Sequence, residues 1–119
     1  MKDLFLPRAK ENLLAAERLF ELDLYNASAN RAYYAAFHAA LAVLSSNGFT
    51  PNIDHKVVQA MFNGELINRR KIFPAHIKQS LQQLQDVRNN ADYKGGVGKG
   101  KAAEQLKKAK TFCSIIIQE

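Results

Sequence analysis

The sequence predicts an all-α fold: an antiparallel bundle of four long helices with one short helix added. Three observations predict it. Apolar residues recur at intervals of three and four along most of the chain, and Gly, Pro and Asn cluster between those stretches. No segment shows the two-residue alternation of a strand. With 119 residues, 47% hydrophobic and 24% charged, the chain fits a single domain over residues 1–119. So short a chain buries only about two-thirds of its unfolded surface, which makes oligomerisation a natural route to stability.

The elements follow in order. Leu4 to Leu22 carries Leu6, Ala9, Leu13, Ala16, Leu19 and Phe20 near the 3.6-residue period, with Glu11, Glu17, Arg18 and Glu21 on the other side. It is expected to be a helix of about five turns, with Pro7 in the first. Asp23 to Asn26 is a break supplied with cap-forming residues. A second helix is expected from Ala27 to Ser46, with eight alanines and apolar residues almost all round, which places it at the centre of the bundle. Asn47-Gly48 ends it, the glycine taking a left-handed C-cap. Thr50-Pro51-Asn52 reads as a loop. Asp54 caps a short third helix through Phe62, carrying Val57, Val58 and Met61, and Gly64 closes it. Leu66 to Phe73, with Arg69-Arg70-Lys71, reads as irregular or a single turn. Pro74 stands at the N1 position of a fourth helix, in which Ile77, Leu81, Leu84 and Val87 repeat and which ends near Tyr93. Gly95 to Gly100 reads as a flexible connection, and a fifth helix from Ala102 to Ile117 presents Leu106, Ala109, Phe112, Cys113 and Ile116 on one face.

Bulk properties exclude several function classes. The single cysteine, Cys113, rules out an intramolecular disulfide framework and a cysteine-built zinc site, and fits a reducing, cytoplasmic setting. The first residues lack a signal-peptide core, and Ala35 to Leu44 is too short to span a bilayer, so no membrane partner is expected. Net charge is +6 with a pI near 9.6. From Lys94 onward six lysines face two glutamates, so most of the excess sits there and favours polyanions.

Four candidate motifs invite chemistry. Gly95 to Lys101 spells G-x-x-x-x-G-K, but Ala102 stands where a phosphate-binding loop needs Ser or Thr for Mg²⁺, and the loop follows a helix instead of a strand. It reads as a solvated linker. His38, His55 and His76 have no metal-like spacing. His55 and His76 fall near helix starts and read as solvated surface, whereas His38 shares a helix face with Arg31 and Tyr34 at i−7 and i−4. Such a polar stripe on a central helix must be satisfied by partners or face a cleft. Cys113, on the apolar face of the last helix, reads as a buried inert thiol. Arg88 and Asp92, one turn apart, read either as an exposed ion pair or, with Asn89 and Tyr93, as the lining of a polar cleft.

Three stretches together resemble the HEPN family of small helical bundles, often encoded beside minimal nucleotidyltransferases. They are Asn12 to Leu19, Tyr25 to Ala40, and Arg88-Asn89-Asn90-Ala91-Asp92-Tyr93; Gly48, Pro51 and His55, followed by the Val57–Phe62 helix, also fall in the order the resemblance implies. Within the second, Asn30 to Ala39 is similar to the family's N/S-R-A-Y-Y-A-x-F-H-A signature, and the third is similar to the R-x-x-A-D-Y ending of one HEPN branch. The resemblance implies a homodimer whose fourth helix turns its polar segment toward the dimer cleft. It also implies binding of RNA or a nucleotide by Arg31, Tyr34, His38, Arg88, Asn89, Asp92 and Tyr93, with no cofactor and no metal. Many members are metal-independent ribonucleases acting as toxins in toxin–antitoxin modules, with an Arg followed after four to six residues by His. No histidine follows Arg88 here; Asp92 and Tyr93 occupy that region.

Metal-free RNA cleavage needs a base for the 2′-hydroxyl and an acid for the leaving oxygen, roles that imidazole fills near neutral pH. An ordinary carboxylate takes a proton readily but is seldom protonated to give one. Arg88 would stabilise the phosphorane, Asp92 act as base, and His38 or Tyr93, or the same groups from a second subunit, supply the acid. Three readings follow: a toxin-like or partner subunit of a nucleotidyltransferase-linked module, in which Tyr93 is also a candidate acceptor for modification; a metal-independent endoribonuclease; and a non-catalytic dimeric assembly or substrate-binding module.

Overall fold

Alanine decides how the bundle packs. Helix α2 (Tyr25–Ser46) buries Ala29, Ala32, Ala35, Ala36, Ala39, Ala40 and Ala42. These short side chains let neighbouring backbones approach from several directions at interior packing density. Tyr33, Phe37, Leu41 and Leu44 supply the bulk on the same helix. Around it stand α1 (Lys2–Glu21), α4 (Ser80–Tyr93) and α5 (Lys99–Ile116), with the short α3 (His55–Met61) between α2 and α4 in sequence. This computed structural model describes residues 2–50, 53–93 and 95–117, and among them there is no strand. The antiparallel four-plus-one architecture is as the sequence predicts.

The core is built from one face of each outer helix. Phe5, Ala9 and Ala16 come from α1, Leu81 and Leu84 from α4, and Ala102, Ala109, Phe112 and Ile116 from α5. Deep in the α1–α2 contact the Ser28 hydroxyl donates to the Ala16 carbonyl at 2.8 Å, which satisfies a fully buried polar group. The end of α2 is a Schellman turn. Phe49 N–H donates to the Leu44 carbonyl and Gly48 N–H to that of Ser45, with Gly48 at φ +89°. Asp54 caps α3, its Oδ1 accepting from Lys56 N–H at 3.0 Å and Val57 N–H at 3.1 Å.

Several expected boundaries are corrected. Helix α1 starts at Lys2, so Pro7 lies inside it and not in the first turn; the ring removes one backbone hydrogen bond there. Helix α2 starts at Tyr25, and its cap position is held by Leu24 with no side-chain bond, because Asp23 (φ 62°) accepts from the Tyr25 hydroxyl instead. Gly64 does not stop the third helix. The chain runs on as a π-helix over Phe62–Arg69, whose wider turn directs Phe62, Leu66 and Ile67 together into the core. Pro74, extended at ψ 148°, precedes a 3₁₀ turn at Ala75–Ile77, and the α-helix proper waits until Ser80. The fifth helix begins at Lys99, three residues early, with Gly98 at its N-cap. Pro51, Asn52 and Lys94 lie outside the described residues. No described helix is long and apolar enough to cross a membrane.

The glycine stretch is also more ordered than a free linker. Gly96 N–H donates to the Asn90 carbonyl at 3.2 Å, and Val97 N–H to the Asn26 Oδ1 at 2.7 Å. Gly96, at φ +84°, lies so close to the Asn26 amide that a Cβ would meet it at 3.1 Å. This pin ties the end of α4 to the start of α2.

Candidate functional site

The polar stripe of α2 is answered by the last turns of α4. Arg88 reaches across from α4 and its Nη2 donates to the Tyr34 hydroxyl at 3.0 Å, while Nη1 donates to the Asn89 Oδ1 at 3.2 Å. Its guanidinium also lies 5.3 Å from the Tyr34 ring centroid and 5.9 Å from that of Tyr33. One turn on, Asp92 Oδ2 stands 3.2 Å from Arg88 Nε and accepts from Asn30 Nδ2 at 3.0 Å. The side chains of Arg88 and Asp92 are 16% and 24% exposed, so this pair is largely covered and not the exposed i,i+4 pair that spacing alone allows. The Nε–H is not aimed at the carboxylate and makes no hydrogen bond, although the atom is buried.

A second guanidinium sits on the other side of Tyr34. Arg31 lies 4.8 Å over the Tyr34 ring, donates from Nε to Asn30 Oδ1 at 2.8 Å and from Nη1 to Asn12 Oδ1 at 2.9 Å. His38 Nδ1 is 2.9 Å from the Tyr34 carbonyl. A carbonyl only accepts, so Nδ1 carries the proton and Nε2 keeps its lone pair. The 3.5 Å approach of Asn12 Nδ2 to the same Nδ1 is then a donor facing a donor and adds no bond. Burial holds the His38 pKa below its ordinary value, with the Arg8 and Arg31 charges acting in the same direction against the Tyr34 carbonyl.

His55 is a correction to the reading of a solvated helix start. It packs against the Phe37 ring at 4.7 Å and the Tyr33 ring at 5.4 Å, and its Nδ1 meets the buried Tyr33 hydroxyl. The aromatic side of α2 draws it inward. Its pKa is lowered, first by burial and then by the Arg88 charge. Burial pushes the Tyr33 hydroxyl up to about 12, so it stays a neutral structural donor. His76 is exposed, as expected. Cys113 is buried and its thiol is pushed up to about 12 by burial, which fits the inert reading.

Of the residues singled out from sequence, Arg31, Tyr34, His38, Arg88, Asn89 and Asp92 form one continuous cluster. The Tyr93 side chain lies outside the described residues. Asn12, Asn30 and His55 join the cluster without having been expected there. Asn30 had a signal, since it shares a helix face with Tyr34 at i+4 and His38 at i+8; His55 had only its place in the order that the HEPN resemblance expects, and its inward packing shows only in the tertiary fold. Among the described residues no three His, Cys, Asp or Glu side chains converge as a metal site would require.

The cluster joins three stretches far apart in sequence, and the comparisons place the chain that contains them. The family model described as HEPN domain matches residues 3–119. This chain belongs to the HEPN family. A Methanocaldococcus jannaschii protein named "Putative toxin MJ0605" is 38% identical over 85 residues, which covers 71% of this chain and 62% of that protein. The HEPN signature residues are thus the ones that meet: Asn12 from α1, Asn30, Arg31, Tyr34 and His38 from α2, and Arg88, Asn89 and Asp92 from α4.

Proposed function

We propose that this HEPN protein is a toxin-like or partner subunit of a nucleotidyltransferase-linked module and binds RNA or a nucleotide at the Arg31–Tyr34–Arg88 cluster, in the cleft of a homodimer. The observation that carries the reading is the convergence of two guanidinium groups on one tyrosine at the protein surface, with Asp92 the one counter-charge paired to them among the described residues. Such a surface favours phosphate-bearing ligands. The similarity to a protein named as a toxin supports the toxin-like part. Tyr93, beside this cluster in sequence, is the proposed acceptor for modification by the partner transferase. Incubation with a cognate nucleotidyltransferase and labelled ATP tests that: label persisting in Tyr93→Phe removes the idea.

The second reading, a metal-independent endoribonuclease, draws on His38. Its Nε2 lone pair and lowered pKa suit it to accept the 2′-hydroxyl proton, so under this reading His38 is the base and not the acid that the sequence suggests. Structured RNA incubated with the purified protein in EDTA separates the two. Retention of intact RNA that is lost in Arg88→Ala supports the binding module, whereas cleavage lost in Arg88→Ala and in His38→Gln supports the nuclease. Cleavage unaffected by Arg88→Ala is a contaminant.

A further inference from the structure

We infer that Arg31, and not the motif arginine Arg88, is the main contact for a phosphate group in this cluster, with Asn12 and His38 lining the same subsite. The inference rests on the reading of the cluster as a site for RNA or a nucleotide.

Charge accounting separates the two arginines. Arg88 already has a carboxylate, Asp92, at 3.2 Å, and its side chain is only 16% exposed. An arriving anion would meet repulsion from Asp92 and little free guanidinium surface. Arg31 is half-buried, yet its contacts are neutral: the Asn30 amide, the Asn12 amide and the face of Tyr34. Among the described residues no carboxylate lies within ion-pair distance of Arg31. Asn30 stands between the two systems, its Nδ2 given to Asp92 and its Oδ1 to Arg31. The amide passes geometry across but no formal charge.

A half-buried guanidinium without an anion bears a desolvation cost that a phosphate oxygen would relieve. Three of its hydrogen bonds go to Asn30 and Asn12, which leaves two of the five N–H groups for a ligand. The surroundings reinforce the positive potential. The Arg8 carbonyl accepts from Asn12 Nδ2 at 2.8 Å, and the Arg8 and Arg31 charges both act on His38. His38 Nε2, with its free lone pair, offers an acceptor for a neighbouring ribose hydroxyl.

Asn12→Asp tests this at constant size: it sets a carboxylate on Arg31 Nη1 where the amide oxygen now sits, and gives up only the Nδ2 bond to the Arg8 carbonyl. The probes are fluorescein-labelled decauridylate, followed by anisotropy, and AMP in a separate calorimetric titration. Asn12→Asp and Arg31→Gln are each expected to weaken decauridylate at least tenfold while the circular dichroism stays native. Arg31→Gln should also lower the slope of log K against log salt by about 0.7, the contribution of one single-strand phosphate. Arg31→Lys keeps the charge but not the fork or the stacking on Tyr34, so it should restore the salt slope while recovering only part of the affinity. A purely structural arginine would leave the slope untouched in all of these variants. Parallel losses for AMP assign the subsite to a nucleotide phosphate; losses for decauridylate alone assign it to the RNA backbone, and either supports the subsite. Folded Asn12→Asp and Arg31→Gln that bind like the wild type overturn the inference and leave the site reading intact. A wild type that binds neither probe removes both.

Discussion

Replacing Tyr34 with Phe deletes one oxygen and leaves the ring on which Arg31 lies. What is lost is the acceptor for Arg88 Nη2 at 3.0 Å, in a pair whose arginine side chain is 16% exposed. A hydrogen bond to a charged group is worth about 1.5–3 kcal/mol when its partner is stranded, and partial solvent access argues for the lower end, about 1.5 kcal/mol. Arg88→Ala removes the same bond together with the Asp92 contact and the packing on Tyr33 and Tyr34, for about 2–3 kcal/mol. Because both changes remove the same bond, they are not additive, and the double variant should show a coupling of about 1 kcal/mol. Urea unfolding followed by circular dichroism measures all four proteins. With a slope of about 1.5 kcal/mol per molar, Tyr34→Phe should lower the midpoint by about 1 M. A midpoint unmoved by Tyr34→Phe, with coupling under about 0.3 kcal/mol, would refute the reasoning that Arg88 is fastened to α2.

The same titration reads three further expectations. Asp54→Ala should cost about 1 kcal/mol by removing the acceptor for two N–H groups of α3, and an unchanged midpoint would mean the cap does not form. Gly48→Ala meets no neighbouring atom within 4 Å, so its cost of about 1 kcal/mol is purely that of a side chain at φ +89°. His38 and His55 have pKa values lowered mainly by burial, so the unfolded chain binds protons more readily than the native one. Their contribution is fully present above about pH 6.5 and is lost as pH falls through the native values; His38→Gln should flatten this part of the stability profile, and an unaltered profile would count against a buried neutral imidazole.

Residue spacing made the fold legible because α2 is so one-sided in composition. Its alanines announce a central helix whatever surrounds it, and the periodic leucines of α4 and the phenylalanine and isoleucine of α5 pack into the core around that helix. The failures fall where local chemistry was overruled by packing. Gly64 looked like a stop, but burying Leu66 and Ile67 beside Phe62 favours a π-turn through it. The Gly95–Gly100 stretch reads as free, yet the Asn26 amide at the start of α2 and the Asn90 carbonyl of α4 hold it. At the site, Arg31, Tyr34 and His38 were visible as a stripe, since spacing along a helix reports which residues share a face. The pairing of that stripe with Arg88 came from signature resemblance, and the geometry of the cluster adds Asn12, Asn30 and His55 through contacts 19 to 62 residues apart in sequence.

The claim that this cluster is the ligand site competes with a simpler one, that the lysines of α5 attract any polyanion. Backbone amide shifts of the ¹⁵N-labelled protein, titrated with a short single-stranded RNA in EDTA, address both at once. The largest shifts are expected at Arg31, Tyr34, His38, Arg88, Asn89 and Asp92, saturating together. Shifts confined to Lys99 through Lys110, with the cluster unmoved, would contradict it.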